Sequence, residues 1–266
     1  MAYQSLNPYD GKVLKTFEEL TDKQLETAVH AAEQSFKTWR HTTFAERSAV
    51  LARAAAILRS RVEDFARPIT LEMGKLIEES RGEVALSADI LDYYAENAER
   101  FLAPQKLTPA SGEAAIESSP LGVIFGVEPW NFPYYQLARF VAPNLMVGNV
   151  VLVKHASNVP QCAIAFADLF VEAGAPMGAY TNLLISKAQV ARVIADPRIK
   201  GVALTGSSVD QSSPRTSRAA SAWPAGSTPG WCLSTIQPGR LPIFRSGASS
   251  IPGTAMSSRA WASRNS

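Results

Sequence analysis

The stretch LGVIFGVEPWNFPYYQLARFVAPNLMVGNVVLVK, residues 121–154, determines how the rest of the chain is interpreted. It begins with the apolar run LGVIFGV at 121–127 and ends with NVVLVK at 149–154, and each run has the length of one strand. Between them, YYQLARFVAPNLMVG has the length of a helix. Short apolar strands that alternate with helices predict a parallel sheet covered by helices.

The same alternation continues beyond residue 154. A helix is predicted from Pro160 to Gly174, a strand at 181–185, a helix over KAQVARVIAD, and a further strand at 200–206. The expected fold class is therefore α/β, with a Rossmann-like parallel sheet and helices on both faces. Ligands on such sheets bind at the carboxyl ends of the strands.

The first hundred residues show helical periodicity and predict an N-terminal helical region before the sheet. Thr21 and Gln24 have the spacing of a capping box. Three apolar stripes at helical spacing follow, and each needs a packing partner. They comprise Leu25, Ala28, Val29, Ala32, Phe36 and Trp39; Val50, Leu51, Ala54, Ile57 and Leu58; and Val84, Ala88, Leu91, Ala95, Ala98 and Phe101. Pro and Gly around AAIES then predict a hairpin or an arm.

Residues 208–266 differ in composition from the rest of the chain. They are rich in Ser, Ala, Pro, Gly and Thr, and they hold six arginines, one aspartate, no lysine and no glutamate. No helical or alternating pattern is found there, and this composition predicts a disordered C-terminal tail.

Composition also limits the class of protein. An apolar fraction of 46% and a charged fraction of 19% over 266 residues are typical of a globular protein. The apolar runs are too short to span a bilayer and the N-terminus is polar, so we expect a cytoplasmic protein without a membrane partner. Two cysteines and three scattered histidines match no metal site. The tail arginines form no dense cluster, so nucleic-acid binding is not expected.

Three turns at the predicted strand ends carry residues suited to cofactor chemistry. Two prolines in EPWNFP fix the direction of Trp130 and Asn131, and a side-chain amide held in this way can donate to an oxyanion. Lys154 in LVKHAS can bind a ribose or a phosphate, and the amides at Gly206 can contact a pyrophosphate. Each turn has a plain structural alternative: Asn131 as a helix cap, Lys154 as a surface lysine, and a simple turn at Gly206.

Taken in order, EPWNFP, LVKHAS and VALTGS resemble motifs of the aldehyde dehydrogenase superfamily. NPYDGKVL at 7–14 and TLEMGKLIEES at 70–80 resemble its N-terminal region. The resemblance covers residue 1 to about 207, and the subgroup it favours is the bacterial succinate-semialdehyde type. It implies an incomplete NAD(P)-binding domain at 1–207 and a tail at 208–266 in place of the catalytic domain.

The resemblance also implies a mechanism, in which a cysteine thiolate attacks a small-molecule aldehyde and hydride passes to NAD or NADP. A glutamate then activates the water that releases the acid, and family members form homodimers or tetramers. Asn131 matches the asparagine that stabilises the oxyanion. The positions that match the cofactor pocket are Val127, Pro129, Trp130, Lys154, Ser157, Gly206 and Ser207.

The chain departs from the family pattern at the cofactor pocket. Ser157 stands where many members have a glutamate that binds the adenosine ribose, so NADP should be tolerated beside NAD. His155 would add attraction for a phosphate if it were protonated. Gln211 stands where the second glycine of the pyrophosphate turn belongs.

The segments that carry the nucleophilic cysteine and the base, Gly-Gln-x-Cys and Glu-Leu-Gly-Gly, are not found. Cys162 is interpreted as a small buried hydrophobe, and Cys232 has the wrong sequence context, so neither is expected to replace the nucleophile. The abrupt change after Ser207 is what a frameshift in a GC-rich gene would produce. We therefore expect this chain not to oxidise aldehydes. The alternatives are a non-catalytic nucleotide-binding or subunit-associating remnant and, with least support, a nucleic-acid binder.

Overall fold

A computed structural model describes residues 3–109 and 112–206, together with two short strands in the remaining sequence. The chain begins with an antiparallel pair, β1 (Tyr3–Leu6) and β2 (Val13–Phe17), which the sequence analysis did not predict. Tyr3 is buried, and its hydroxyl donates to the Ile185 carbonyl at 2.7 Å. This bond attaches the hairpin to the sheet domain.

Four helices follow: α1 (Asp22–Trp39), α2 (Phe44–Ser60), α3 (Val62–Met73) and α4 (Ile77–Phe101). The three apolar stripes correspond to α1, α2 and α4, and the capping box of Thr21 and Gln24 is confirmed at the start of α1. The sequence pattern did not predict α3, a short helix with Pro68 inside it. It ends at Gly74, whose φ of 70° lies in the left-handed region that favours glycine.

The predicted hairpin is confirmed as β3 (Gln105–Leu107) and β4 (Ala114–Ile116), an exposed antiparallel pair. The predicted alternation then follows as β5 (Val123–Glu128), α5 (Pro133–Val147), β6 (Val150–His155), α6 (Pro160–Glu172), β7 (Tyr180–Asn182), α7 (Lys187–Ala195) and β8 (Ile199–Leu204). β7 is shorter than the predicted strand at 181–185.

Four strands are parallel and lie in the order β8-β5-β6-β7, which confirms the expected α/β fold. β9 (Cys232–Ser234) pairs antiparallel with β8, and β10 (Ile243–Arg245) pairs antiparallel with β9. The sequence pattern predicted neither of these two strands. The remainder of the tail expected to be disordered lies outside the described residues.

The sheet is covered by helices. β5 and β6 are buried at nearly every position, and successive strand residues point to opposite faces, so both faces are packed. A Cβ on Gly126 would lie 2.5 Å from the Phe140 ring, which shows how closely α5 approaches β5. From β5 the chain moves outward through β6 and β7 and then returns to β8 on the other side. The strand order therefore reverses between β5 and β8, the position where open α/β sheets bind ligands.

Candidate functional site

The three turns selected from the sequence leave the sheet at one edge. Val127 is the register partner of both Lys154 and Leu204, and the Thr205 amide donates to the Val127 carbonyl at 3.0 Å. Asn131 and Gly206 follow as exposed residues at this edge. The reversal of strand order thus lies between the turn that contains Asn131 and the turn that contains Gly206.

The other expected site residues fall at the same edge or outside the described part. Trp130 is 52% exposed, Ser157 is exposed in the turn after β6, and Val127 and Pro129 are half-buried. Ser207 lies outside the described residues.

The turn that carries Asn131 is held by residues from the N-terminal helices. The N-cap residue of α5 is Phe132, so Asn131 is not the cap that the structural alternative required. A carboxylate oxygen of Glu83 accepts from the amides of Tyr134 at 2.9 Å and Tyr135 at 3.3 Å. Asn131 therefore lies two residues before the first residue of α5, a helix that is capped by another segment.

Lys75 completes the support of this turn. Its Nζ lies 2.5 Å from Glu83 and 3.2 Å from the Asn131 carbonyl oxygen, and it lies 3.8 Å from the ring centroid of Phe132. Burial raises the pKa of Glu83, and the hydrogen bond from Lys75 partly offsets that effect. In the sequence, Lys75 lies in the segment TLEMGKLIEES, which resembles a family motif but indicates no role for this lysine.

Lys154 is more buried than a surface lysine would be. Its Nζ lies 5.6 Å from the ring centroid of Tyr3 and donates to the His155 carbonyl at 2.9 Å. Burial and the nearby Lys187 lower its pKa, and Glu19 opposes them. Among the described residues this hydrogen bond uses one of the three donors of the ammonium group.

His155 is buried and neutral. Its Nδ1 lies 2.9 Å from the Ala156 amide nitrogen and 3.2 Å from the Glu128 carbonyl oxygen, and its Nε2 lies 3.1 Å from the Pro133 carbonyl oxygen. Burial lowers the pKa of His155 to about 4. The imidazole therefore brings no positive charge to a bound phosphate near neutral pH, which corrects one of the possibilities raised from the sequence.

Glu128, the last residue of β5, is a buried carboxyl group that the sequence analysis overlooked. It is 3% exposed, and its two carboxylate oxygens lack a hydrogen bond of normal geometry to the described residues. Burial raises its pKa from 4.5 to about 8, and Thr205 and Arg139 oppose this only partly. Its position between an apolar strand and a proline was the signal available in the sequence.

Comparison with known proteins gives the same family as the motifs. The model of the aldehyde dehydrogenase family matches residues 1–212. The chain belongs to the aldehyde dehydrogenase family.

Two aldehyde dehydrogenases with curated names illustrate the likeness. An NADP⁺ succinate-semialdehyde dehydrogenase of Deinococcus radiodurans is 47% identical over 205 residues, which cover 77% of this chain and 43% of the relative. Succinate-semialdehyde dehydrogenase 1 of Mycobacterium tuberculosis, also named for NADP⁺, is 41% identical over 210 residues. The chain spans about half the length of the curated relatives it matches.

A solved aldehyde dehydrogenase shares the fold. The crystal structure of the succinic semialdehyde dehydrogenase of Streptococcus pyogenes, in complex with NADP⁺, matches with a TM-score of 0.79 and 45% identity. The match covers 83% of this chain and 48% of that chain.

The two cysteines lie in different parts of the fold. Cys162 is fully buried, and burial beside Glu72 raises the pKa of its thiol well above the ordinary value. Its burial confirms the small buried hydrophobe that the sequence predicted. Cys232 lies in β9.

Two further properties concern metal binding and membrane crossing in the described ranges. No group of three or more His, Cys, Asp or Glu side chains there could hold a metal ion. Nor does any helix in those ranges combine the length and the apolar character that crossing a bilayer needs.

Proposed function

We propose that this chain provides the cofactor-binding part of an NADP-using aldehyde dehydrogenase that acts on a semialdehyde such as succinate semialdehyde. The observation that carries the proposal is the meeting of three turns at one sheet edge, beside the reversal between β5 and β8. The names of the relatives support NADP and the semialdehyde. Under this proposal residues 1–207 are an incomplete NAD(P)-binding domain, and a cytoplasmic location and a dimer or tetramer are further parts of it.

The residues at this edge fit a dinucleotide. Lys154 Nζ, near the end of β6, would donate to the adenosine ribose or its phosphate, and Ser157 is exposed in the turn that follows β6. Gly206 and Ser207 would offer backbone amides to the pyrophosphate, with Val127, Pro129 and Trp130 along the opposite wall. Asn131 would donate its side-chain amide to the developing oxyanion. A bound nicotinamide would supply the hydride acceptor.

The preference for NADP follows from charge. A glutamate at position 157 would repel a 2′-phosphate, which carries about −1.5 to −2 charges by analogy with a phosphorylated side chain. Serine removes that repulsion and still offers a hydroxyl, and Lys154 adds attraction. NAD stays usable, because nothing at Ser157 requires the phosphate.

A second candidate function is nucleotide binding without catalysis, and the buried thiol of Cys162 favours it for this chain on its own. The test is to mix the purified chain with succinate semialdehyde and NADP or NAD, and to follow reduced cofactor at 340 nm while cofactor binding is titrated separately. We expect binding without turnover. Steady turnover that is abolished by Cys162→Ala or Cys232→Ala would contradict our interpretation of the cysteines, and absence of binding would contradict the proposed function.

A further inference from the structure

The two turns next to the proposed cofactor share a sequence pattern, Asn-x-Pro. It occurs as Asn131-Phe132-Pro133 before α5 and as Asn158-Val159-Pro160 before α6. Each proline is the first residue of its helix, where its missing N–H removes one of the donors that a helix start leaves unsatisfied. The amides of the next two residues still need acceptors.

Buried carboxylates from distant helices accept from these amides. Glu83 of α4 accepts from the second and third residues of α5, Tyr134 and Tyr135. Glu72 of α3 accepts from the second and third residues of α6, with 2.9 Å to the Gln161 amide and 3.0 Å to the Cys162 amide. The same two donor positions are satisfied at both helices, by one carboxylate oxygen of Glu83 at α5 and by both oxygens of Glu72 at α6.

Both glutamates are placed to accept hydrogen bonds from the N-terminal amides of these helices. Each is 3% exposed, and the N-cap residues Phe132 and Val159 give their helices no side-chain cap among the described contacts. A carboxylate at a helix N-terminus is favoured by the helix dipole and forms charge-assisted hydrogen bonds. Burial raises the pKa of each glutamate, while the backbone amides lower it.

We infer that Glu72 and Glu83 are positioning residues that fix the two loops of the proposed cofactor site. Glu83, with Lys75, holds the turn that presents Asn131, and Glu72 holds the turn that presents Ser157. What those turns bind rests on the proposed function, but the positioning itself does not.

The role assigns different effects to the two residues. The turn held by Glu72 contains Ser157, which would contact the adenosine ribose. Loss of the Glu72 carboxylate should therefore weaken cofactor binding. The turn held by Glu83 contains Asn131, the proposed oxyanion donor. Loss of the Glu83 carboxylate should therefore disturb Trp130 and Asn131, with little effect where the adenosine of the cofactor would bind. A purely structural glutamate would change both sites through overall stability alone.

The first test is site-resolved amide hydrogen exchange on the full chain. Glu83→Gln, which keeps an acceptor but removes the charge, should speed exchange at Tyr134 and Tyr135 by about tenfold and leave Gln161 and Cys162 unchanged. Glu72→Gln should give the reciprocal pattern. Glu79→Gln, an exposed neighbour on α4, is the matched control. Equal exchange changes at both helices, or none, would overturn the inference.

The second test is titration of the same variants with NADP, after circular dichroism has shown that each is folded. We expect about tenfold weaker binding for Glu72→Gln, a smaller loss for Glu83→Gln, whose turn contributes Trp130, and less than about twofold for Glu79→Gln. If the unmodified chain does not bind NADP, the proposed function fails, while the exchange pattern still decides the positioning role. Unchanged affinity in Glu72→Gln, with binding intact in the parent chain, would overturn the role at the cofactor.

Discussion

Two sets of helices in this molecule begin in different ways. Helices α1, α2 and α7 carry their own capping boxes, in which Thr21, Thr43 and Ser186 bond residues three positions ahead. Helices α5 and α6, which follow the proposed cofactor turns, are capped by Glu83 and Glu72 from elsewhere in the chain. The first set forms by local rules, and the second set depends on the completed fold.

The largest expected effect is at the distant caps. Glu83→Ala removes two amide acceptors and leaves Lys75 without its buried partner. We expect the free energy of unfolding to fall by about 4 kcal/mol, as measured by urea denaturation. A loss below about 1 kcal/mol would show that α5 is capped well enough by water and would remove the contrast between the two sets.

Glu128 is another buried carboxyl group whose environment depends on the completed fold, and the pH dependence of stability tests its burial. The pKa of Glu128 is raised from 4.5 to about 8 by burial. Between pH 4.5 and pH 8, the folded chain therefore keeps a carboxyl proton that the unfolded chain has lost. The contribution of Glu128 to stability is therefore complete below about pH 4.5 and is lost as the pH rises through 8. Glu128→Gln should remove this loss and be more stable than the parent at pH 9 by a few kcal/mol, with the ~5 kcal/mol that corresponds to the full shift as the upper bound.

Urea denaturation at pH 6 and pH 9 checks the Glu128 prediction, with Glu79→Gln as the exposed control. An identical pH dependence in Glu128→Gln and the parent would mean that the carboxyl group is solvated or paired in solution.

A smaller effect is expected at a local cap. Thr21→Ala removes the side-chain acceptor of the α1 capping box and should cost about 1 kcal/mol. The same denaturation experiment measures it, and Thr21→Ser should recover most of the loss. A cost as large as that of Glu83→Ala would show that local and distant caps are equivalent here.

This contrast also explains what the sequence could predict. The start of α1 was predicted from Thr21 and Gln24, because both members of the capping box lie within four residues. The strands β5 and β6 were predicted because strands buried on both faces are continuous apolar runs. α3 was missed because Pro68 interrupts a short helical pattern.

The candidate site was predicted in part, for the same physical reason. Asn131 and Lys154 were located from local motifs, and the structure places both at one edge. The partner of Tyr134 is Glu83, 51 residues away, and no local pattern indicates that contact. The burial of Glu128 and the neutral state of His155 also depend on packing that is complete only in the fold.

The measurement that tests the central claim most directly is the relative affinity of the chain for NADP and NAD, before and after Ser157→Glu. Calorimetric titration of both cofactors against both proteins gives this ratio without any requirement for catalysis. Our account predicts that the parent chain binds NADP and that the substitution shifts the ratio at least about tenfold towards NAD, because it places a carboxylate beside the 2′-phosphate. An unchanged ratio, or a shift towards NADP, would mean that residue 157 does not face the ribose and would contradict the placement of the cofactor at this edge.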